Sequence, residues 1–191
     1  ILQVFDEAGI KSTFFTLGWV AERFPALVRR IAEGGHEVAS HGYHHSRVDS
    51  QTAEVFGADV RKTKDILENA AGVPVSGYRA ATFSMGEART PWAWSVLEEE
   101  GYAYSSSIYP VKRDFYGDPN APRGPYRPDG VERLIEIPIS TVRLANRNFP
   151  AGGGGYFRFL PFGVSKAAIQ HINQHDHASA VFYIHPWEVN R

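Results

Sequence analysis

The chain contains no cysteine, which excludes disulfide bonds and thiolate metal sites. Any metal ion must therefore be bound through nitrogen and oxygen ligands. The sequence also lacks an apolar run long enough to span a bilayer. Neither sign of charge is in excess, because 20 basic residues stand against 21 acidic ones and the formal net charge is -1. We therefore expect neither a nucleic-acid partner nor binding to an anionic membrane surface.

The overall composition, with 43% hydrophobic and 21% charged residues, is typical of a soluble globular protein. A length of 191 residues suits one domain with a sizeable core, so we expect residues 1–191 to form a single domain. The chain begins with neither a methionine nor a signal-peptide pattern. Its first residues, "ILQVFDEAG", are typical of the second half of an amphipathic helix. We therefore expect a fragment of a longer protein, truncated at its N-terminus.

Short apolar segments alternate with amphipathic ones along the chain. Strands are predicted at 11–18, 36–40, 76–80, 102–107, 132–140 and 179–185, and helices at 1–8, 20–33, 51–70, 90–101 and 161–174. This alternation predicts an α/β fold with parallel strands joined by helical crossovers. In a barrel of such strands, the chemistry lies on the loops that follow the carboxyl ends of the strands.

The segment "ASHGYHHSRV" places histidines directly after a predicted strand. His41 and His45 are four residues apart, so on a helical turn or a tight loop both imidazoles can reach one ion. Two nitrogens and one carboxylate would leave coordination positions open for water and substrate. The spacing alone is weak evidence, and a histidine-rich polar turn is the alternative. His44 is predicted to be a bystander in either case.

Two further polar residues end predicted strands. Arg79, in "GYRAATFS", has the geometry to orient a carboxylate through a bidentate pair, and an ordinary ion pair is the alternative. His185, in "FYIHPWE", leaves a strongly apolar segment, where a half-buried imidazole with a pKa near neutrality would suit a general acid. The alternative for His185 is a hydrogen-bonded core histidine without a catalytic role.

Aromatic residues are frequent in the loop segments. The long segment 109–130 is dense in proline, glycine and aspartate, and its tyrosines favour an ordered, functional loop over a disordered one. Trp92, Trp94 and Trp187, together with the tyrosines of residues 102–126, are candidates to line a sugar-binding groove. Trp92 and Trp94 have helix-core packing as the alternative. The histidines of "HINQHDH" are predicted to lie on a solvated helix end.

Taken in order, these motifs resemble the polysaccharide deacetylases with the NodB-homology fold, carbohydrate esterase family 4. The resemblance rests on "TFFTLGWVAERFPALVRRIAEGGHEVASHGYHH", "GYRAATFSM", "YSSSIYP", "RDFYGDPNAPR", "EIPISTVRL", "AGGGGYFRFLP" and "FYIHPWE", which span nearly the whole chain. More narrowly, the chain resembles the branch associated with exosortase and exopolysaccharide gene clusters. The resemblance implies a distorted (β/α) barrel, incomplete here at its N-terminus. It also implies metal-dependent removal of acetyl groups from N-acetylated sugars in a polysaccharide.

The resemblance also implies roles for individual residues. His41 and His45 take the positions of the family's metal ligands, with zinc as the favoured divalent ion. Arg79 and His185 take the positions of its catalytic arginine and histidine. The family's acidic pair, one carboxylate acting as base and the other as metal ligand, would precede Ile1. The predicted glycan contacts are Tyr109, Tyr116 and Trp187.

The sequence departs from the branch at Ser105, where an aspartate is usual, and at Ala81, where a proline is usual. Two other functions are consistent with the same residues: a non-catalytic glycan-binding module, and a metal-dependent amidohydrolase that acts on a small molecule. The sequence leaves open which polysaccharide is used and what the oligomeric state is. It equally leaves open whether the protein lies in a bacterial cytoplasm or cell envelope.

Overall fold

The computed structural model describes residues 1–188, and its centre is a five-stranded sheet in the order β1-β2-β3-β4-β5. The strands are β1 (Thr13–Thr16), β2 (Glu37–Ser40), β3 (Gly77–Tyr78), β4 (Tyr104–Ser105) and β5 (Ile135–Glu136). Each strand pairs with its neighbour in the parallel direction. The predicted α/β class with a parallel sheet is confirmed. Residues 189–191 of the predicted single domain lie outside the described part.

Helices lie before, between and after these strands in the sequence. They are α1 (Leu2–Glu7), α2 (Gly18–Arg23), α3 (Pro25–Glu33), α4 (Ala53–Ala71), α5 (Ala93–Glu99), α6 (Gly154–Phe159) and α7 (Phe162–His175). The longest, α4, is defined by its caps: the Thr52 hydroxyl accepts the Val55 N–H, and Gly72 ends the helix in the left-handed conformation at φ 72°. Within residues 1–188, every helix is too short or too polar to cross a membrane.

The single helix predicted over 20–33 is in fact two helices. Phe24 leaves helical geometry at φ -131° and ψ 55°, and Pro25 opens α3 as its first residue. Proline is tolerated at this position because its missing N–H would have no partner in the first turn. Pro25 therefore marks the start of a second helix.

The core lies between the sheet and the helices α2, α3, α4 and α5. Phe56, Val60 and Leu67 of α4 are fully buried there, together with Trp94 and Leu97 of α5. Burial of each such side chain stabilises the fold by roughly 1.5–3 kcal/mol. Trp94 is thus a core residue, and Trp92 packs against Phe56 with ring centroids 5.7 Å apart.

Two predicted strands need correction. The strand expected over 132–140 is limited to β5, and the chain then turns into an unpredicted antiparallel hairpin of β6 (Thr141–Leu144) and β7 (Arg147–Pro150). The segment 179–185, predicted as the last strand, is not part of the sheet. Its Val181 N–H donates to the Ser140 hydroxyl at 2.7 Å, and its Tyr183 carbonyl accepts the Gly154 N–H at 2.8 Å. The Ser140 side chain and the Gly154 backbone thus provide hydrogen-bond partners of the kind that a neighbouring strand would provide.

Candidate active site

The site begins where three parallel strands end in register. Ser40 of β2 lies beside Tyr78 of β3, and Tyr78 lies beside Ser105 of β4. The residue that follows each of them therefore leaves the sheet at the same edge. These residues are His41, Arg79 and Ser106, and we call them the strand-end cluster.

The His41 ring is fixed by the neighbouring strand. Its Nδ1 lies 2.7 Å from the Arg79 carbonyl oxygen, so Nδ1 carries the proton and donates it to that oxygen. The other ring nitrogen, Nε2, keeps its lone pair. Burial lowers the pKa of His41 to about 4, so the ring is neutral at pH 7. A neutral imidazole with one nitrogen bound to a backbone carbonyl is the usual state of a metal-binding histidine.

His45 lies beside His41, with ring centroids 4.9 Å apart. Its backbone is in the left-handed region at φ 61°, a conformation that costs of the order of 1–3 kcal/mol in a residue with a side chain. Burial, and then the charge of His185, lowers the pKa of His45. The loop is tied down by the Tyr43 N–H, which lies 3.1 Å from Asp59 Oδ1. The tight turn thus brings the two predicted ligands together.

The nitrogen donors that the chain provides, those of His41 and His45, are suited to a divalent ion. His41 and His45 are adjacent, the pKa of each is lowered, and thiolates are absent. Within residues 1–188, no three His, Asp or Glu side chains come close enough together to form a complete metal centre. The two predicted ligands therefore form an incomplete set within these residues. The carboxylate ligand expected upstream of Ile1 stays a prediction.

Arg79 is held rigidly at the centre of the strand ends. Its Nε donates to the Ser106 carbonyl at 2.8 Å, its Nη2 donates to the Ser106 hydroxyl at 2.6 Å, and its guanidinium lies 4.0 Å from the centroid of the Phe15 ring. Burial lowers the pKa of Arg79 to about 10, which leaves the group charged at pH 7. In the described part of the chain Arg79 makes no ion pair, so its orientation of a carboxylate stays a prediction.

A buried carboxylate that the sequence analysis missed supports this arrangement. Glu136 is fully buried, and it accepts the N–H groups of Ser107 at 2.7 Å and Ile108 at 2.9 Å and the Trp94 indole N–H at 3.0 Å. Burial raises its pKa, and these donors oppose that shift. Glu136 thereby fixes the backbone immediately after Ser106. The sequence feature that could have identified Glu136 is a single acidic residue within the apolar run "LIEIPI".

Ser105, where the resemblance leads us to expect an aspartate, has a structural role together with Ser107. The Ser105 hydroxyl donates to that of Ser107 at 2.7 Å, and the Ser107 hydroxyl accepts the Ala80 N–H at 2.9 Å. Both serines are fully buried. They therefore link the ends of β3 and β4 beside Arg79.

His185 is linked to this cluster through Tyr183, whose ring centroid lies 5.8 Å from the Arg79 guanidinium and 5.8 Å from the His185 ring. Its side chain is 45% exposed. The Trp187 ring stacks on it with centroids 4.3 Å apart and planes 15° apart. The carboxylate of Glu188, a second residue that the sequence analysis missed, accepts the His185 backbone N–H at 2.7 Å. The structure thus brings together the four residues predicted for metal binding and catalysis.

The predicted glycan contacts differ from one another in accessibility. Tyr109 is fully buried and packs against Tyr116 and Tyr183, so its ring has no exposed face for a sugar. Tyr116 is half-buried, and its hydroxyl lies 3.5 Å from that of Tyr156. Trp187 is 69% exposed. Tyr109 is therefore placed as support for its neighbours, and glycan contact through Tyr116 and Trp187 stays a prediction.

Three histidines without a predicted metal role are exposed. His44 is exposed, with its ring against Tyr43 at 4.5 Å. His175 and His177 are exposed at the end of α7. The acid between them, Asp176, forms an ion pair with Arg123.

Two family profiles match consecutive parts of the chain. The profile described as polysaccharide deacetylase matches residues 1–104, and one described as a domain of unknown function (DUF3473) matches residues 106–191. The chain is similar to a peptidoglycan-N-acetylglucosamine deacetylase of Bacillus cereus, with 33% identity over 93 residues. That match covers 49% of this chain and 34% of the relative, so the chain spans about a third of the relative's length.

Solved structures share the fold over almost the whole chain. A Mycobacterium smegmatis protein assigned as a polysaccharide deacetylase superposes with a TM-score of 0.67 at 25% identity, covering 97% of this chain and 62% of that one. A family 4 carbohydrate esterase of Streptomyces lividans, in complex with acetate, superposes with a TM-score of 0.59 at 15% identity. It covers 98% of this chain and 71% of that one, and at this identity it shows the fold alone.

Proposed function

The chain belongs to the polysaccharide deacetylase family, and from this premise we propose that the complete protein removes acetyl groups from N-acetylated sugars of a polysaccharide. The observation that carries the proposal is the convergence of His41, His45 and Arg79 at one edge of a parallel sheet, with His185 linked to Arg79 through the Tyr183 ring. Catalytic groups of β/α folds gather at this edge.

We propose that His41 and His45 bind a divalent ion, with zinc favoured because both donors are imidazole nitrogens. The bound ion would polarise the acetamide carbonyl and lower the pKa of a bound water. The low pKa of His41 means that protons do not compete for its nitrogen at neutral pH. Because Nδ1 is engaged by the Arg79 carbonyl, His41 would bind the ion through Nε2.

His185 is proposed as the general acid. When the carbon–nitrogen bond breaks, the sugar nitrogen leaves as an amine and must gain a proton. His185 is half-exposed and so accessible to a substrate, and a positioned imidazole of this kind contributes ~10²–10⁴-fold to the rate. Arg79 supplies a fixed positive charge that would orient the carboxylate base expected upstream of the chain.

Exposed aromatic side chains support the proposed substrate class. Trp187 and Tyr116 offer partly exposed rings, whose faces suit the apolar faces of sugar rings. The Bacillus cereus relative is named for N-acetylglucosamine, which supports an N-acetylated hexosamine as the sugar. We propose a bacterial exopolysaccharide or a similar glycan as the polymer.

We also propose that residues 1–191 form one domain, although two profiles divide them. Glu136, in the second matched region, accepts a hydrogen bond from Trp94 in the first. Arg79 of the first region donates to Ser106 of the second. Strand β5 completes the sheet begun by β1 to β4. The two regions thus share one sheet and one site.

The test is acetate release from N-acetylglucosamine oligomers by the complete protein loaded with zinc. His185→Ala should lower kcat by ~10²-fold or more, and His45→Ala should abolish tight zinc binding. His44→Ala is the matched control, because His44 is exposed and adjacent to His45, and it should leave the rate unchanged. Full activity in both His45→Ala and His185→Ala would refute the proposal.

One observation favours the alternative of a non-catalytic glycan-binding module. Within residues 1–188, no third candidate ligand joins His41 and His45 to complete a metal site. A complete protein that binds N-acetylglucosamine oligomers but releases no acetate would establish that alternative. Hydrolysis of small N-acetyl compounds in preference to oligomers would favour an amidohydrolase of small molecules.

A further inference from the structure

The His185 imidazole has a carboxylate partner in its own turn. The short 3-10 turn Pro186–Glu188 brings Glu188 back onto His185. Glu188 Oε2 accepts the His185 backbone N–H at 2.7 Å and lies 3.4 Å from the ring nitrogen Nδ1. The Glu188 side chain is only 9% exposed, against 45% for His185. A carboxylate this well covered beside a more open histidine needs a structural explanation.

That explanation is the glycine run "AGGGGYF". A Cβ on Gly154 would lie 2.3 Å from Glu188 Oε2 and 2.7 Å from its Cδ, distances that real Cβ atoms do not tolerate. A Cβ on Gly152 would lie 2.1 Å from the Val181 carbonyl oxygen. At Gly155, by contrast, a Cβ would meet nothing within 4 Å. The run therefore accommodates the segment that carries Tyr183, His185 and Glu188.

We propose that Glu188 is a positioning residue for His185, and that Gly154 provides the space for its carboxylate. This proposal rests on the proposed function, in which His185 is the general acid. Glu188 holds Nδ1–H, so the proton delivered to the leaving amine comes from Nε2 on the opposite side of the ring. In that step the Nε2–H bond breaks, the amine nitrogen keeps the electron pair of the cleaved carbon–nitrogen bond, and an N–H bond forms. A neutral imidazole remains, with Nδ1–H still bound to Glu188.

The competing explanation is that Glu188 only caps the turn through the His185 backbone N–H. A cap would stabilise the chain end without selecting which ring nitrogen carries the proton. The two roles are separable, because the backbone N–H and Nδ1 approach the same carboxylate oxygen but only Nδ1 belongs to the reacting ring.

The first experiment reads the ring directly, in the metal-free complete protein. Nitrogen-15 NMR of the imidazoles distinguishes Nδ1–H from Nε2–H forms. We expect neutral His185 to carry its proton on Nδ1 in the wild type and in Gly155→Ala. In Gly154→Ala the added methyl displaces the Glu188 carboxylate, and the Nε2–H form should become the major one. Both substitutions add one methyl to adjacent residues of α6, so they match in helix propensity. Identical His185 spectra in the two variants would overturn the proposal.

The second experiment distinguishes a positioning role of Glu188 from a purely structural one. It compares two substrates, of which only one has a leaving group that needs a proton. Glu188→Gln preserves the shape of the side chain and removes its charge. We expect kcat for an N-acetylglucosamine oligomer to fall at least ~10-fold with little change in KM, because amine departure needs the proton. The rate with 4-nitrophenyl acetate should stay within about twofold, because nitrophenolate leaves without protonation. A parallel loss with both substrates would indicate a purely structural role and would overturn the proposal.

The two proposals can fail independently. If the wild-type protein releases no acetate from N-acetylated sugars, the proposed function fails. The NMR comparison of Gly154→Ala with Gly155→Ala still decides whether Glu188 sets the protonated nitrogen of His185.

Discussion

The two sides of the site are built in different ways. The strand-end cluster consists of residues that directly follow paired strands and are fixed by backbone hydrogen bonds from neighbouring strands. The C-terminal cluster, which we define as His185, Trp187 and Glu188, lies on a 3-10 turn after an irregular segment. It is fixed by one carboxylate and by glycines that leave room for it. The sheet thus fixes the side chains of the strand-end cluster, whereas side-chain packing fixes those of the C-terminal cluster.

This difference in construction matches the different chemical roles that we propose for the two clusters. The metal binding and charge orientation that we propose for His41 and Arg79 need a constant geometry, and the sheet edge provides it. The proton donor and the sugar-stacking ring that we propose must admit and release a polymer, and the greater exposure of His185 and Trp187 suits that task. Loops on a rigid scaffold commonly carry such contacts.

The strongest test of the rigid side is Arg79→Lys. Lysine keeps the charge but cannot form the two-point contact with Ser106 or the flat contact with Phe15. We expect kcat/KM for an N-acetylated oligomer to fall by ~10²-fold, the effect of a misplaced catalytic group. Arg113→Lys is the control, because Arg113 is exposed and contacts Tyr156 instead. A loss below about threefold at Arg79 would show that the charge alone suffices.

The second test concerns the buried support of the same side. Glu136→Gln retains one oxygen for the N–H groups of Ser107 and Ile108 but turns an amide N–H₂ toward the Trp94 indole N–H. Two donors then face each other in a fully buried place, so we expect a loss of about 1–3 kcal/mol in the free energy of unfolding. Urea denaturation measures it. Glu132→Gln is the exposed control in the same segment and should change stability by less than about 0.5 kcal/mol. Equal stability of the two variants would contradict the support that we assign to Glu136.

The strand-end cluster was also the more predictable side. The predicted strand 36–40 ended directly before His41, and the predicted strand 76–80 included Arg79 near its end. In the structure both residues directly follow a strand. The prediction came this close because apolar periodicity and flanking glycines indicate strands directly. The predicted strand 179–185 was wrong, since an apolar run such as "SAVFYIH" has the same composition whether it pairs with a strand or with Ser140 and a glycine turn. Composition carries no information about the partner.

The residues that the sequence analysis missed share a cause. Glu136 and Glu188 are carboxylates whose importance comes from what surrounds them: three N–H donors for one and a glycine cradle for the other. Neither environment is local in sequence, because Glu136 lies 42 residues from Trp94. Likewise Tyr109, predicted to contact the glycan, is buried by rings contributed from distant segments. Local patterns identify candidate groups, and tertiary packing decides which of them reach the substrate.

The third test asks whether the histidine loop needs its anchor. Asp59→Ala removes the carboxylate that accepts the Tyr43 N–H between His41 and His45. Groups that orient ligands without touching the ion typically change metal affinity 10–100-fold. We expect zinc binding by the complete protein, measured by titration calorimetry, to weaken by about 10-fold. Asp65→Ala is the control on the same helix α4, and zinc affinity unchanged in both variants would show that the loop holds its shape without the anchor.

The smallest effect is expected on the exposed side, at Trp187→Ala. Since Trp187 is 69% exposed and contacts the His185 ring, its removal should leave the free energy of unfolding within about 0.5 kcal/mol. KM for N-acetylated oligomers should rise about threefold to tenfold, because a stacking surface worth about 1 kcal/mol is lost. Trp187→Phe should recover most of the affinity, since it keeps an aromatic face. If instead stability falls as far as in Glu136→Gln, the C-terminal cluster would be as much part of the core as the strand ends, and the contrast between the two sides would not hold.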